Sequence, residues 1–401
     1  MSNTTLQVDS IKNKVSTFIE LMAEAAQAGY CGSSLEIKNT DGRLNLRFTY
    51  CAPLDILRAA EITGASSAAS ILGVALVKTD KGCEWQRIDA NGNKVDSLDK
   101  AFFDAHPVFG QVQDVQIDGQ RMVMVPRFYV KRARLATGPY AGSQAWFISE
   151  AEQPGFAPHS AFKTAGQPDK GFYVGKYQAS VYDKKLASLP DSMPAVDLSL
   201  NKFDSYARAR NEVVGESGWM QWDAYQLAAI QWLYLIENAS LDSISTTGRG
   251  RIDESGRAKV DASDVTQASY RGITGLWGNV WQWLGGLKLV DGVVHVADPA
   301  KPGAWINTGH TPPNDEYYAT EFAEGEHIGD LFIASKSVDY QSKAATPSAQ
   351  YYREGRGEFF SLVGGGWSNA SYAGLWCLNL NNPASYSDTN IGARLAKRFE
   401  S

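Results

Sequence analysis

Cysteine is scarce in this sequence, and its scarcity excludes several classes of protein. The 401 residues contain four cysteines, none of them in a CxxC pair: Cys31, Cys51, Cys83 and Cys377. Small secreted domains held by disulfides and thiol-ligated zinc domains need dense or paired cysteines. We therefore predict four free thiols in a reducing compartment.

Metal-binding motifs are lacking as well. The five histidines form neither an HxH nor an HExxH pattern. One loop nevertheless combines two histidines with four carboxylates, a set that could hold a metal: His310, Asp315, Glu316, Glu324, Glu326 and His327. We favour the interpretation of a solvated acidic loop.

Signals for export and for nucleic-acid binding are also missing. The N-terminus has no basic-then-apolar leader, and no uncharged run approaches the ~20 apolar residues of a membrane span. The sequence thus predicts synthesis in the cytoplasm, with exit only by lysis or within an assembled particle. The net charge of −6 argues against a nucleic-acid partner.

Glycine and tryptophan are abundant, with 37 and 11 residues, which indicates a loop-rich fold built around aromatic anchors. Asp-Gly or Asn-Gly pairs between alternating segments predict hairpins at 41–42, 91–92 and 118–119. Apolar periodicity predicts helices over 5–29 and near 53–62. It predicts a third helix in the segment WDAYQLAAIQWLYLIENAS, which has Asp223 near its start. We predict an α+β fold with a small α+β domain over 1–102, for attachment or oligomerisation, and a second domain over 103–401.

The segment LWGNVWQWL is predicted to be a strand that places Trp277, Asn279, Trp281 and Trp283 on one face. Such a stripe can be a sugar platform. Core packing is the interpretation we favour for its tryptophans, and also for Trp367.

GNVWQW (Gly278–Trp283), GGGW (Gly364–Trp367) and NIGARLA (Asn390–Ala396) follow one another in the order typical of one family. Over roughly 103–399 the chain resembles the formylglycine-generating-enzyme branch of the C-type lectin fold. Within that fold it is similar to the variable proteins of diversity-generating retroelements, which include phage tropism determinants. The resemblance implies a C-terminal C-type-lectin-type domain of this subtype, with a variable region at about 363–394.

In such proteins the variable positions derive from asparagine codons whose adenines are rewritten. The resemblance implies a ligand-binding variable face formed by Ser368, Asn369, Ser371, Tyr372, Leu375, Trp376, Cys377, Asn379, Asn381, Tyr386, Asp388 and Thr389. All the non-asparagine residues from Ser371 onward except Trp376 can be reached from AAC by changing adenines alone. Strand alternation predicts that Ser371, Leu375 and Cys377 share one face while the other face packs. The alternative is a Gly/Asn/Ser-rich loop system with core aromatics.

Catalytic members of the branch bind copper through a pair of cysteines near the C-terminus. Cys377 is the only cysteine after residue 83, so the pair is missing and we predict that the chain is not an enzyme. The resemblance allows calcium, but no residue set here identifies a calcium site, and no other cofactor is expected.

The resemblance implies a receptor-binding protein of a phage tail fibre that recognises a host cell-surface protein or glycan. Its further partners would be other virion proteins and copies of itself, with a trimer as the first expectation. It would be made in the host cytoplasm and carried on the virion. The alternatives are a fixed-specificity phage or prophage tail adhesin, a prophage-encoded protein that stays in the bacterial cytoplasm, and an oxidase of the formylglycine-generating type.

Overall fold

The computed structural model describes residues 33–40, 43–50, 71–79, 82–96, 98–163, 168–212, 217–313, 317–339, 350–353 and 355–399. The chain divides into two compact units, Met1–Ala68 and Ala69–Ser401. The predicted helices over 5–29 and near 53–62 lie outside the described residues.

The described helices are α1 (Lys100–Ala105), α2 (Leu200–Arg208), α3 (Ala224–Asn238) and α4 (Ser243–Thr246). The described strands of the first 200 residues are β1 (Ser33–Thr40), β2 (Arg43–Tyr50), β3 (Leu72–Thr79), β4 (Gly82–Ile88), β5 (Gln113–Ile117), β6 (Gln120–Pro126), β7 (Tyr129–Arg134), β8 (Gln144–Ser149), β9 (Ala157–Pro158), β10 (Gly171–Gly175), β11 (Ser180–Tyr182) and β12 (Lys185–Ala187). Those that follow are β13 (Trp219–Gln221), β14 (Trp281–Val290), β15 (Val293–Ala297), β16 (Trp305–Asn307), β17 (Tyr317–Phe322), β18 (Ala334–Asp339), β19 (Gln350–Arg353), β20 (Glu358–Gly364), β21 (Gly374–Asn382), β22 (Ile391–Gly392) and β23 (Leu395–Arg398). The fold mixes helix and sheet, with more sheet than helix, as the sequence predicts.

In the first unit, β1 and β2 pair antiparallel in an unbroken register from Ser33↔Tyr50 to Thr40↔Arg43. This confirms the hairpin predicted around positions 41 and 42. The hairpin predicted at 118–119 is confirmed in the second unit, where β5 and β6 pair and both turn residues have positive φ.

The second unit is built mainly on three sheets. One has the order β13-β23-β10-β6-β5, and another the order β4-β3-β8-β7-β9. The largest has the order β16-β15-β14-β20-β21-β19-β17-β18, with β22 paired in parallel to β14. Strands β3 and β4, which the predicted boundary at 102/103 assigns to the N-terminal domain, belong to this unit, since β3 pairs with β8. The roles given to the two domains stay predictions.

Helix α3 is the central helix of the second unit. Asp223 caps its N-terminus in a capping box with Gln226, as its place before the apolar run predicts, and the left-handed Ala239 ends it. The sequence predicts a single apolar face, but every residue from Ala224 to Ile236 is buried. The helix contacts β3, β8 and β14, so it has sheet on more than one side.

Arg394, from the NIGARLA segment, lies fully buried in the core beside the indole of Trp222. Its guanidinium donates to the Gln282 side chain and to four main-chain carbonyls, those of Gly175, Lys176, Thr274 and Gly275, at 2.7–3.2 Å. Burial lowers the pKa of Arg394 to about 9. One side chain thereby joins segments that are distant in sequence, and all five of its N–H groups can be satisfied.

The GNVWQW segment differs from its prediction. The strand begins only at Trp281, because Gly278 and Asn279 have φ of +71° and +62° and form a turn instead. The packing prediction for Trp277, Trp281 and Trp283 is confirmed, since all three are buried.

Candidate ligand-binding face

The region predicted to vary consists mainly of two loops and the strand β21 between them. The first loop, Gly365–Ala373, connects β20 to β21, and the second loop, Pro383–Asn390, connects β21 to β22. Both loops bond to the short segment from Asn279 to Trp281, while β21 runs through the core.

Main-chain hydrogen bonds to other segments fix the first loop. The Trp367 N–H donates to the Asn279 carbonyl at 3.1 Å, and the Ala370 N–H donates to the Ile252 carbonyl at 2.6 Å. Glycine is required at Gly365, where φ is +78° and an added Cβ would lie 2.7 Å from that of Ala373. The shape of this loop therefore does not depend on Ser368 or Ser371.

The second loop is fixed in the same way. The Trp281 N–H donates to the Asn390 carbonyl at 2.8 Å, and the Asp197 N–H donates to the Asp388 carbonyl at 3.1 Å. Within the loop, the Tyr386 hydroxyl donates to the Asp388 carboxylate at 2.9 Å. That bond lowers the pKa of Asp388 and raises the pKa of Tyr386.

A third segment, residues 251–258, contacts both loops. The Glu254 N–H donates to the Trp367 carbonyl at 2.8 Å, and Arg257 Nη1 lies 3.4 Å from the Thr389 carbonyl. An ion pair of 2.6 Å between Arg251 and Asp264 anchors the segment. No local pattern in the sequence indicates the bonds to Trp367 and Thr389, because each joins residues more than a hundred positions apart.

Asn279 lies under this surface and bonds to several of the segments that form it. Its side-chain amide donates to Gln178 Oε1 at 2.8 Å and to the Ala258 carbonyl at 3.1 Å, and its carbonyl oxygen accepts from the Ala258 N–H at 2.8 Å. Its main chain bonds to Arg251 and Trp367. The residue is fully buried. The GNVW turn thus serves to hold the loops.

The structure separates the predicted site residues into three groups. Five are exposed on the two loops: Ser368, Ser371, Tyr372, Tyr386 and Thr389. Four are half-buried: Asn369, Asn379, Asn381 and Asp388. Three are buried in β21: Leu375, Trp376 and Cys377. Trp367, predicted to pack beneath the face, is half-buried.

The three buried residues correct the predicted alternation, because β21 is covered on both faces. The Trp376 ring packs edge-on against Tyr234 of α3 and Phe332, while Cys377 belongs to a separate apolar cluster with Trp281 and Trp283. The Leu375 carbonyl accepts from Gln231 of α3 at 2.9 Å. We therefore leave Leu375, Trp376 and Cys377 out of the face.

The half-buried asparagines bond to their neighbours. Asn369 Oδ1 accepts from the Gly366 N–H at 2.8 Å and so tightens the first loop. Asn379 Oδ1 accepts from the Asn381 N–H and from the Asn382 side chain at 3.0–3.1 Å, near the end of β21. These residues lie at the margin of the face.

The acidic loop weighed as a metal site shows protein partners instead. His310 Nε2 bonds the Ala334 carbonyl at 2.9 Å, and Glu324 accepts from Arg134 and Gln144 at 2.6–2.9 Å. Within the described residues, no group of three or more His, Cys, Asp or Glu is placed to hold a metal. Positions 315 and 316 lie outside those residues.

Neither a protein-family model nor a curated protein matches the chain. Solved structures that align with it include the Major Tropism Determinant U1 Variant, with 15% identity over 83% of this chain and 73% of that one, at a TM-score of 0.28. Variable protein 1 of Treponema denticola aligns with 11% identity over 71% and 98%, at 0.34. PvdO from Pseudomonas aeruginosa aligns with 13% identity over 72% and 98%, at 0.32. No helix among the described segments is long and apolar enough to cross a membrane.

Proposed function

We propose that this protein is a receptor-binding protein whose ligand-binding face consists of the exposed side chains of the two loops. The core of the face is Ser368, Ser371, Tyr372, Tyr386 and Thr389, with Asn369, Asn379, Asn381 and Asp388 at its margin. The proposal rests on one observation, which holds for both loops. Main-chain hydrogen bonds to other segments fix the backbone, while these five core side chains are exposed.

A face of this kind can change its chemistry at little cost in stability. Surface substitutions away from special features usually change the free energy of unfolding by no more than about 0.5 kcal/mol. The two tyrosines are 37% and 40% exposed, which is unusual for large aromatic rings here. Tyrosine with serine and asparagine is also the composition that paratopes favour, since it combines rigid amphipathic anchors with adaptable polar groups.

A more specific proposal, the family of the protein, rests on the GNVWQW, GGGW and NIGARLA segments, which follow one another in the order typical of that family. We propose a variable protein of a diversity-generating retroelement, with a C-type-lectin-type domain of the formylglycine-generating-enzyme branch. It would act as a phage tail-fibre tropism determinant, carried on the virion as an oligomer, with a host surface protein or glycan as its receptor. A trimer is our first choice for that oligomer.

We propose that the chain has no oxidase activity. The copper chemistry of the branch needs two thiolates together, and Cys377 is fully buried among apolar side chains. That burial raises the pKa of its thiol, so it stays protonated at neutral pH.

A genetic experiment tests the variable face. The DNA around the gene is sequenced for a second copy of the stretch that encodes Val363–Arg394, next to a reverse-transcriptase gene. We expect the two copies to differ mainly at adenines, with the differing codons concentrated at the exposed loop positions. If no such copy exists, the assignment of a variable face is wrong, and a fixed-specificity adhesin becomes the leading hypothesis for this protein.

A binding experiment tests the receptor role directly. The purified full chain is incubated with a panel of bacterial strains, and bound protein is measured by flow cytometry. Tyr372→Ala and Tyr386→Ala should abolish or redirect binding with the melting temperature nearly unchanged. Tyr182→Ala is the matched control, because Tyr182 is 51% exposed and lies outside both loops. Unchanged binding by both loop variants would place the receptor site elsewhere.

A further inference from the structure

A cleft of about 560 Å³ opens beside helix α2, strand β13, the N-terminus of α3 and the β15–β16 hairpin. None of the residues assigned to the ligand-binding face is among the described residues that line it. Its size lies within the range of small-molecule binding clefts. It is therefore a second place where this protein could hold a ligand.

One wall of the cleft carries a buried acceptor without a partner. The Gln221 amide donates through Nε2 to the Trp283 carbonyl at 2.8 Å, which fixes its orientation. Its Oε1 atom is buried and accepts no hydrogen bond from the described part of the chain, and the residue is 3% exposed. A buried acceptor without a donor is unfavourable to the fold, so a ligand that donates a hydrogen bond to it would remove that penalty.

The charges of the cleft balance. Its lining includes three basic and three acidic side chains: Lys163, Arg208, Arg398, Asp204, Asp223 and Asp298. Arg208 and Asp204 already pair with each other at 2.7 Å. Asp223 caps α3 by accepting from the Gln226 N–H at 2.9 Å. This lining offers acceptors and donors without favouring an anion or a cation.

A tryptophan also lines the cleft. Trp305 at the start of β16 lines the cleft and is 37% exposed. The Lys288 ammonium lies 4.2 Å from the centre of its ring, and Phe360 packs against it edge-on at 6.4 Å. These contacts hold the indole in place, so the lining of the cleft includes an exposed aromatic ring as well as the oxygen acceptors of Gln221 and Asp223.

We propose that this cleft binds a neutral carbohydrate. Sugar hydroxyls can donate to Gln221 Oε1 and to the Asp223 carboxylate, while the apolar face of a sugar ring packs on Trp305. The balanced charge disfavours ligands that depend on one strong ion pair. The site is separate from the proposed receptor face and does not depend on the loop sequence.

The test uses the full chain on a printed array of neutral, sialylated and sulfated oligosaccharides, followed by titration calorimetry with the strongest soluble binder. We expect selective binding of neutral oligosaccharides. Trp305→Ala should weaken the affinity by about tenfold or more, as for a central aromatic anchor, and Trp305→Phe should retain most of it. Gln221→Met, of similar shape but without the acceptor, should also weaken binding by about tenfold.

Two controls separate this proposal from the receptor face. Tyr182→Ala, at an exposed tyrosine outside both sites, should bind the array like the unaltered chain, and Trp305→Ala should keep the melting temperature within a few degrees. The proposal would be overturned if the unaltered chain bound no oligosaccharide above background, or if it bound charged oligosaccharides alone. It would also be overturned if Trp305→Ala and Gln221→Met both bound with the affinity of the unaltered chain. Loss of cell binding by Tyr386→Ala together with intact array binding would support both sites.

Discussion

The two loops and strand β21 come from the same short segment of sequence, yet the structure treats them in opposite ways. Tyr386 of the second loop is 40% exposed, whereas Trp376, only ten positions earlier, is 5% exposed. Both stretches mix small, polar and aromatic residues, and both are predicted to supply the ligand-binding face. Composition therefore does not distinguish the surface from the core in this segment.

The difference comes from what covers each stretch. Strand β21 lies between β20 and β19 in the largest sheet, with Gln231 of α3 bonded to its main chain and the cluster of Trp281 and Trp283 packed around Cys377. Alternation separates a core face from a solvent face only when one face of a sheet is open. The loops are bonded to other segments mainly through their backbones, and Ser368, Ser371, Tyr372, Tyr386 and Thr389 remain exposed.

The largest expected effect is in the strand. Trp376→Ala should lower the free energy of unfolding by about 3–5 kcal/mol, because it removes a buried indole and leaves a cavity between Tyr234 and Phe332. Urea denaturation measures the change. Tyr372→Ala is the matched aromatic control and should change it by about 0.5 kcal/mol or less. Similar losses from both variants would remove the distinction between strand and loop.

Acid should expose a second property of the buried region. The His159 ring is fully buried among Phe128, Phe162 and Trp232, and burial lowers its pKa from 6.5 to about 4. The unfolded chain takes up a proton near pH 6.5 but the folded chain does not. Stability should therefore be complete above pH 6.5 and fall by about 3 kcal/mol towards pH 4.

Urea unfolding at several pH values measures this loss. His159→Gln should flatten the curve between pH 4 and 6.5, because glutamine takes up no proton in that range. His327→Gln, at a position whose side chain is 42% exposed, should leave the slope as it is. A slope that survives in His159→Gln would mean that other groups cause it.

Asn279 is buried in the core and bonds to Trp367 of the first loop. Asn279→Ala should lower the free energy of unfolding by about 2 kcal/mol, because it leaves the half-buried Ala258 N–H and the buried Gln178 Oε1 without their partner and places alanine at a positive φ. Hydrogen exchange should show faster exchange at Ala258 and Trp367, next to the loops. Exchange that rises equally throughout β21 would mean that the loops have no separate support.

The smallest effect is expected at Ser371. Ser371→Tyr should change the free energy of unfolding by about 0.5 kcal/mol or less, since the side chain is exposed and only the backbone of the loop is held. Thermal unfolding and circular dichroism are sufficient to check it. A loss of several degrees would show that the loop tolerates only small residues there.

Local signals in the sequence predict local structure well here. The Asp-Gly turn at 118–119 and the Asp223 cap each act within a few residues, and the structure has the predicted hairpin and helix. The assignment of Ser371, Tyr372 and Tyr386 to a ligand-binding face has a different basis, because it comes from the family resemblance, and it stays a prediction.

Non-local contacts explain the predictions that fail. The burial of Leu375, Trp376 and Cys377 depends on strands and a helix that are distant in sequence, which strand alternation cannot show. The contribution of residues 251–258 depends on bonds to Trp367 and Thr389. The GNVW segment is a turn because Gly278 and Asn279 adopt positive φ, although its apolar pattern is typical of a strand.

The position of Arg394 and β23 also has a consequence for how the chain folds. Strand β23 lies between β10 and β13, and the Arg394 bond to the Gly175 carbonyl spans 219 positions. The chain loses the conformational entropy of closing so long a loop before the stabilising contacts can form, and such topologies fold slowly. Until β23 inserts, β10 and β13 present unpaired edges, which are the features that promote association between unfinished chains. Refolding yield should therefore fall as protein concentration rises, and a chain that ends before Leu395 should aggregate.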